Sequence, residues 1–288
     1  MYRNVYLFVF FCSTLFLQGQ SLEIGGIIGG SNYSGDFVPS LPFTQETKLA
    51  AGAFARFNLN KSFSVKASFV STTLSGSDSN FENFSRNLSF RTPITELAIL
   101  PEFNFNFFKK NEYLRDIRPF VFAGFSVFQF NPQTEFNGAF VDLQPLGTEG
   151  QGLPGQPSKY NLTDFAIPLG GGFKAEISQR WNIEFFANIR FTFTDYLDDL
   201  STDFAPNFDE LVNINGELAG ALSSRQWEYL NETCGCTLNT PANSYIPGTQ
   251  RGGEEVRDYY FTFGAAVSYK LFKFSGNNDR QKSCPKWK

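Results

Sequence analysis

The chain has no histidine, one methionine and four cysteines among its 288 residues, and each shortage closes off a body of chemistry. Without an imidazole, no Ser-His-Asp triad, Cys-His pair or histidine-supported metal centre can form. With Cys12 set aside in an N-terminal apolar run, three cysteines remain, too few and too odd in number for a disulfide framework. Basic residues are outnumbered, 24 against 28 acidic ones. No cationic face emerges to neutralise phosphates, and no nucleic-acid partner is expected. Past Leu17 no run of about 18 apolar residues occurs, so no transmembrane helix is expected either.

Residues 1–20 read as a signal peptide. Arg3 supplies the positive start, Val5 to Leu17 the apolar stretch, and Gln18-Gly19-Gln20 a polar, small-residue exit. The apolar stretch is short for a spanning helix and suits a cleaved secretory leader. Cys12 lies in mid-run, where no lipoprotein site is expected. Loss of Arg3 leaves 23 basic against 28 acidic residues, a net charge of −5.

What the chain has in abundance is phenylalanine, 36 residues of it, set in alternating runs. From Trp181 to Asp195 one face reads Trp181, Ile183, Phe185, Ala187, Ile189, Phe191, Phe193. The other reads Asn182, Glu184, Phe186, Asn188, Arg190, Thr192, Thr194. Side chains of a strand alternate between faces, so this is a strand with one apolar and one polar face. Tyr259 to Leu271 and Leu97 to Phe107 repeat the pattern, with Pro101 expected only at an edge or bulge. Eight segments fit, near 22–30, 48–59, 63–75, 93–108, 118–130, 164–178, 181–195 and 257–272.

The links between them alternate in length. Those at 60–62, 109–117 and 179–180 are short; those near 31–47, 76–92, 131–163 and 196–256 are long. Outer-membrane barrels have an even strand number, short periplasmic turns and long outer loops. Glu23, Arg56, Lys66, Glu96, Glu102, Lys174, Glu176, Glu184 and Arg190 all fall on the face opposite the aromatics. Nine charges in a dry sandwich core would be ruinous unless paired; in a narrow barrel lumen they can pair. A soluble lipocalin-like barrel also has eight strands but would turn its apolar face inward. The expectation is therefore an all-β fold, an eight-stranded antiparallel transmembrane β-barrel over 21–273. It would face outer-membrane lipid in the bacterial outer membrane, with a periplasmic tail at 274–288. Eight strands leave room only for side chains, so no open pore is expected. Gly124, Gly170, Gly171, Gly172 and Gly264 would ease strand curvature.

The loops hold the candidate chemistry. Asp195, Asp198, Asp199 and Asp203 cluster after a strand in FTDYLDDLSTD. They read either as a calcium site, since hard cations take several oxygens, or as a solvated rim of Asx turns, the better fit. A carboxylate pair could also serve as acid and base. The stretch 145–157, with four glycines and three prolines, is a specified turn-rich loop or a mobile one. It lacks the helix and lysine of a phosphate cradle. A helical pattern at Glu217 to Asn231, with Leu218, Leu222, Tyr229 and Leu230 as a weak stripe, is suited to plug or cap the mouth. Cys234 and Cys236 bracket one glycine: a strained loop staple, free thiols, or a poor zinc site lacking histidine. Cys284 would lie across the membrane and pair with neither. No catalytic, cofactor-binding or metal-binding residue is assigned, and no enzyme activity or cofactor is expected.

The segments VDLQPLGTEGQG, AIPLGGGFKAEIS, RWNIEFFANIRFTFTDYLDDLS and DYYFTFGAAVSYKLF, with LEIGGIIGGSNYSGD and RPFVFAGFSVFQFNP, resemble the PorG-like outer-membrane β-barrel family of Bacteroidota. That family is associated with the type IX secretion system. The resemblance implies a non-enzymatic barrel, structural or accessory, that contacts periplasmic ring proteins of a protein secretion complex. A small channel or receptor of unknown ligand is the alternative.

Overall fold

The computed structural model describes residues 21–37, 46–80, 85–105, 117–235, 240–253 and 257–273. The expected leader (1–20), the tail (274–288) with Cys284, and Cys236 lie outside the described residues.

Among the described residues, eleven strands form one antiparallel sheet. They are β1 (Ser21–Ser34), β2 (Lys48–Asn58), β3 (Phe63–Ser77), β4 (Ser89–Asn104), β5 (Ile117–Ala123), β6 (Phe125–Phe130), β7 (Gln133–Phe136), β8 (Ala139–Asp142), β9 (Thr163–Glu176), β10 (Trp181–Thr192) and β11 (Tyr259–Lys273). The sheet closes on itself, because β1 pairs with β11 and β3 pairs with β4. β5 and β6 act as one barrel strand. Glu102 opposes Phe122 below the break and Ile99 opposes Phe125 above it, so the register is the same on both sides. The break falls opposite Leu100 and Pro101, and the proline has no N–H to give. Pro101 therefore sits inside a closed barrel, at a gap in the ladder, and not at an edge or bulge. Gly124 fills the other side of that gap, where a Cβ would come within 2.2 Å of the Ile99 carbonyl oxygen. With β5 and β6 joined, eight strands make the ring.

Strand bounds exceed the apolar pattern at the outer end. β1 runs to Ser34 and β4 begins at Ser89. The residues added there are mostly polar, yet Ser31 to Ser34 still pair with Thr262 to Tyr259. Hydrogen-bonded pairing continues above the apolar belt, where hydrophobic alternation gives no signal. β7 and β8 form a small hairpin turned by Asn137-Gly138, both at positive φ (52° and 78°). Asn-Gly is a strong hairpin signal, since both turn positions require the left-handed region.

The outer wall carries the belt. Ile28, Phe69, Leu97, Phe173, Phe185 and Phe263 are all exposed, Phe185 to 62%. A soluble sheet would bury these side chains; a barrel in lipid presents them. Not every phenylalanine joins the belt. Phe54, Phe90, Phe120, Phe122, Phe128 and Phe130 are buried in the lumen, so the lumen is mixed in character, and charges and aromatics share it. Where strands approach closely, side chains are excluded: Gly29 opposes Gly264, and a Cβ on Gly29 would lie 2.0 Å from the Phe263 carbonyl oxygen.

Candidate functional site

All nine lumenal charges read from the sequence point inward, and they meet across the bore. Arg56, 1% exposed, donates from Nε to Glu102 at 2.8 Å, and its other nitrogens reach Glu23 at 3.2 Å and Glu184 at 2.5 Å. Lys66 pairs with Glu102 (3.1 Å) and Glu184 (3.4 Å), and Lys174 with Glu102 (2.6 Å). These six residues come from β1, β2, β3, β4, β9 and β10, so their pairing ties together distant parts of the ring. Aromatic faces complete the shell. Arg56 lies 4.8 Å from the Phe54 centroid, Lys66 5.1 Å from Phe122, and Lys174 4.3 Å from Phe120. Charge buried this deeply is tolerable only with such partners.

Above this layer Arg190 makes a two-pronged contact with Glu96 (3.1 and 2.9 Å), and Tyr260 donates to the same carboxylate at 2.7 Å. Higher still the bore turns apolar. Tyr33, Leu74, Phe90, Ile94, Phe128, Phe130 and Tyr260 enclose Leu197 and Leu200. Of the two roles open to the helical stretch at 217–231, plug or cap, the plug falls instead to the short turn after β10. Thr92 Oγ1 donates to the Leu197 carbonyl at 2.5 Å, fixing the turn to the wall.

A folded cap sits over the plug. Its helices are α1 (Phe208–Asn215), α2 (Glu217–Ser223), α3 (Gln226–Cys234) and α4 (Pro241–Ser244). The single expected helix is interrupted at Ser224-Arg225, and of its expected stripe only Leu222 is buried. A second apolar cluster of Leu153, Ala205, Leu211, Ala219 and Tyr245 joins the Gly- and Pro-rich loop to the helices. That loop is ordered by polar contacts. Glu149 accepts from the Ser201 and Thr202 backbone N–H groups and pairs with Arg251 at 3.2 Å.

The aspartate cluster differs from a solvated rim. Asp198 and Asp199 are buried, Asp195 is half-buried, and only Asp203 is exposed. Asp199 sits at φ +65°, a conformation costing about 1 kcal/mol or more outside glycine. It is held there by Thr148 Oγ1 (2.5 Å), Tyr160 Oη (2.6 Å) and Arg251 (3.6 Å). Asp198 accepts from the Leu200 N–H in an Asx turn and from Tyr33 Oη at 2.5 Å, while Tyr33 also lies 2.9 Å from Asp258. One hydroxyl proton cannot serve both carboxylates, so one of them must itself be protonated. Burial, with Asp36 nearby, pushes Asp198 well above the usual carboxylate range, and burial with Asp198 and Asp195 does the same to Asp258. Burial raises Asp199 to about 6 despite Arg251, and Asp195 to about 7. These oxygens are engaged by protein donors, and among the described residues no three acidic or cysteine side chains converge in a way that would hold a metal ion. Cys234 is in a disulfide whose partner lies outside the described residues. That removes the free-thiol and zinc readings for Cys234.

Tyr33, Glu149 and Arg251 were not legible as site residues. Tyr33 stands in the polar outer end of β1 and the other two in irregular loops, and the role of each depends on partners more than 50 positions away.

A closed ring of eight strands, an exposed aromatic belt, a charged lumen and long loops at one end define an outer-membrane β-barrel, located in the bacterial outer membrane. The chain belongs to the family described as a domain of unknown function, DUF6089, whose model matches residues 2–241. No curated protein matches it. Among solved structures it is similar to Neisserial surface protein A (TM-score 0.43, 7% identity, 88% of this chain and 100% of that one). It is also similar to OprG from Pseudomonas aeruginosa (TM-score 0.39, 6% identity, 88% and 96%). A third is Ail of Yersinia pestis in complex with the heparin analogue sucrose octasulfate (TM-score 0.37, 11% identity, 88% and 98%). The class assignment rests on the strand ring and its belt.

Proposed function

We propose that this barrel is non-enzymatic and acts as a structural or accessory component of a type IX protein secretion complex, contacting periplasmic ring proteins. The observation that carries the reading is the filled lumen. Salt-bridged charge, an Arg190–Glu96 layer and the Leu197/Leu200 plug follow one another along the bore. A barrel filled in this way serves as an anchor better than as a conduit. The sequence resemblance to PorG-like proteins of Bacteroidota supplies the particular machine. Affinity purification from mildly solubilised, crosslinked membranes is expected to recover periplasmic proteins with the barrel; a clean monomer after crosslinking would refute the reading.

The ordered cap favours a second reading, a receptor for an external ligand. Its folded helices and buried Arg251–Glu149 pair give the outer end a fixed shape. Loss of surface-ligand uptake or attachment on deletion of 204–248, with the complex intact, would favour that reading.

A further inference from the structure

We infer that the plug turn is a proton-held latch, closed while Tyr33, Asp198 and Asp258 share two protons and released outward when one is lost. Tyr33 lies near the outer end of β1, Asp198 belongs to the turn itself, and Asp258 is the residue before β11. The two carboxyls do the holding. One oxygen of Asp258 accepts the Leu197 N–H at 2.8 Å, and one oxygen of Asp198 accepts the Leu200 N–H at 2.9 Å. These are the two residues whose side chains fill the upper bore.

The second oxygen of each carboxyl is aimed at Tyr33 Oη, at 2.5 Å from Asp198 and 2.9 Å from Asp258. A hydroxyl has one proton to donate and lone pairs with which to accept. It serves one carboxylate, and the other contact closes only if that carboxyl brings a proton of its own. With both carboxyls ionised, one contact sets lone pair against lone pair. Gly35 packs its backbone directly on these oxygens: a Cβ there would lie 2.0 Å from Tyr33 Oη and 2.1 Å from Asp258 Oδ1. The three oxygens therefore have little room to draw apart while the turn stays in place.

The surrounding charges do not compensate. Asp36, from the link after β1, faces Asp198, and Asp195, just after β10, faces Asp258; both are acids. Arg86, from the link between β3 and β4, is the cation that faces Asp198, and Asp78 holds it in a two-pronged contact at 2.8 and 2.7 Å. Arg251 is engaged by Glu149 and Asp199. Tyr260, paired with Tyr33 on β11, donates to Glu96. Two buried carboxyls in one site disfavour joint ionisation, and burial acts in the same direction. The closed turn thus binds a proton that the released turn, with its carboxyls in water, gives up at about pH 3.9. Closure weakens as pH rises from there toward the raised values.

Release carries Leu197 and Leu200 out of an apolar chamber walled by Leu74, Phe90, Ile94, Phe128 and Phe130. The Arg190–Glu96 pair forms its floor, and the layers below stay shut. The device belongs to the outer end and is independent of any periplasmic partner.

The test is hydrogen exchange by mass spectrometry on the mature barrel in nanodiscs, at pH 8 and pH 9, corrected for intrinsic rates. Asp195 and Asp199, at about 7 and about 6, are nearly fully ionised throughout that window. Loss of one proton on release predicts that opening of 196–201 rises about tenfold over the pH unit, with the β10 amides unchanged. Asp258→Asn and Asp198→Asn should each abolish the rise. In either variant the amide oxygen still accepts the plug N–H, and the amide NH2 supplies the missing donor to Tyr33 Oη. Protected β10 amides show that a variant is folded; should one fail to fold, the other and the wild-type slope decide. Wild-type opening that does not change with pH, or an undiminished rise in a folded variant, would overturn the inference.

Discussion

Arg56 and Glu102 meet 2.8 Å apart in the barrel bore, with side chains 1% and 0% exposed. Each is also the hub of further pairs, Arg56 to Glu23 and Glu184, Glu102 to Lys66 and Lys174. Removing one hub strands the others, because an uncompensated buried charge costs far more than a surface pair contributes.

Arg56→Met is therefore expected to destabilise the barrel by about 3–5 kcal/mol. Urea unfolding in lipid vesicles, read by the gel shift between unboiled and boiled samples, checks this. Arg56→Met combined with Glu102→Gln should recover part of the loss, since one stranded carboxylate is then neutral.

The belt predicts the opposite of a surface substitution. Phe185, 62% exposed, would tolerate arginine in a soluble protein. In a bilayer Phe185→Arg should cost about 2–4 kcal/mol, least near the interfaces. Equal unfolding midpoints for the variant and wild type in vesicles would contradict the lipid-facing assignment.

Cap stability should depend on pH through Asp199 and Asp195. Burial holds Asp199 at about 6 and Asp195 at about 7, above the value near 3.9 of an unfolded aspartate. The folded cap thus binds more protons than the unfolded one, and its stability falls as pH rises from about 4 to about 7. Arg251, Thr148 and Tyr160 face Asp199, with Glu149 nearby, and only Arg251 opposes this through its charge. Hydrogen exchange at 196–205 is expected to be more protected at pH 5 than at pH 8 after correction for intrinsic rates. Asp199→Asn should flatten that difference.

Conductance is expected to be absent. The bore is blocked at successive heights by the Arg56 network, by Arg190 with Glu96 and by Leu197 with Leu200. Planar-bilayer recordings should show no stable open state at moderate voltage, and steady single-channel currents would contradict the packing.

Much of this was legible in the sequence where a period-2 pattern meets a belt. Glu184 and Arg190 were identified as lumenal because Phe185 and Phe191 alternate with them. The inward Phe120 and Phe122 were not anticipated, since composition does not reveal that lysines would stack on them. Asp198 and Asp199 were read as a wet rim because acidic turns usually are; what buries them is a loop some 50 residues earlier and Tyr33 on the first strand.

The sequence by itself determined the ring. Strand number, facing and the end that bears long loops follow from side-chain alternation and link lengths, which are local quantities. Only the tertiary structure decided what fills the ring: which lumenal charges pair, which turn plugs the mouth, and that Arg118 and Lys270 share the Glu176 carboxylate at the short-turn end. Those facts depend on closure, which brings together residues such as Arg56, Glu102 and Glu184, far apart along the chain.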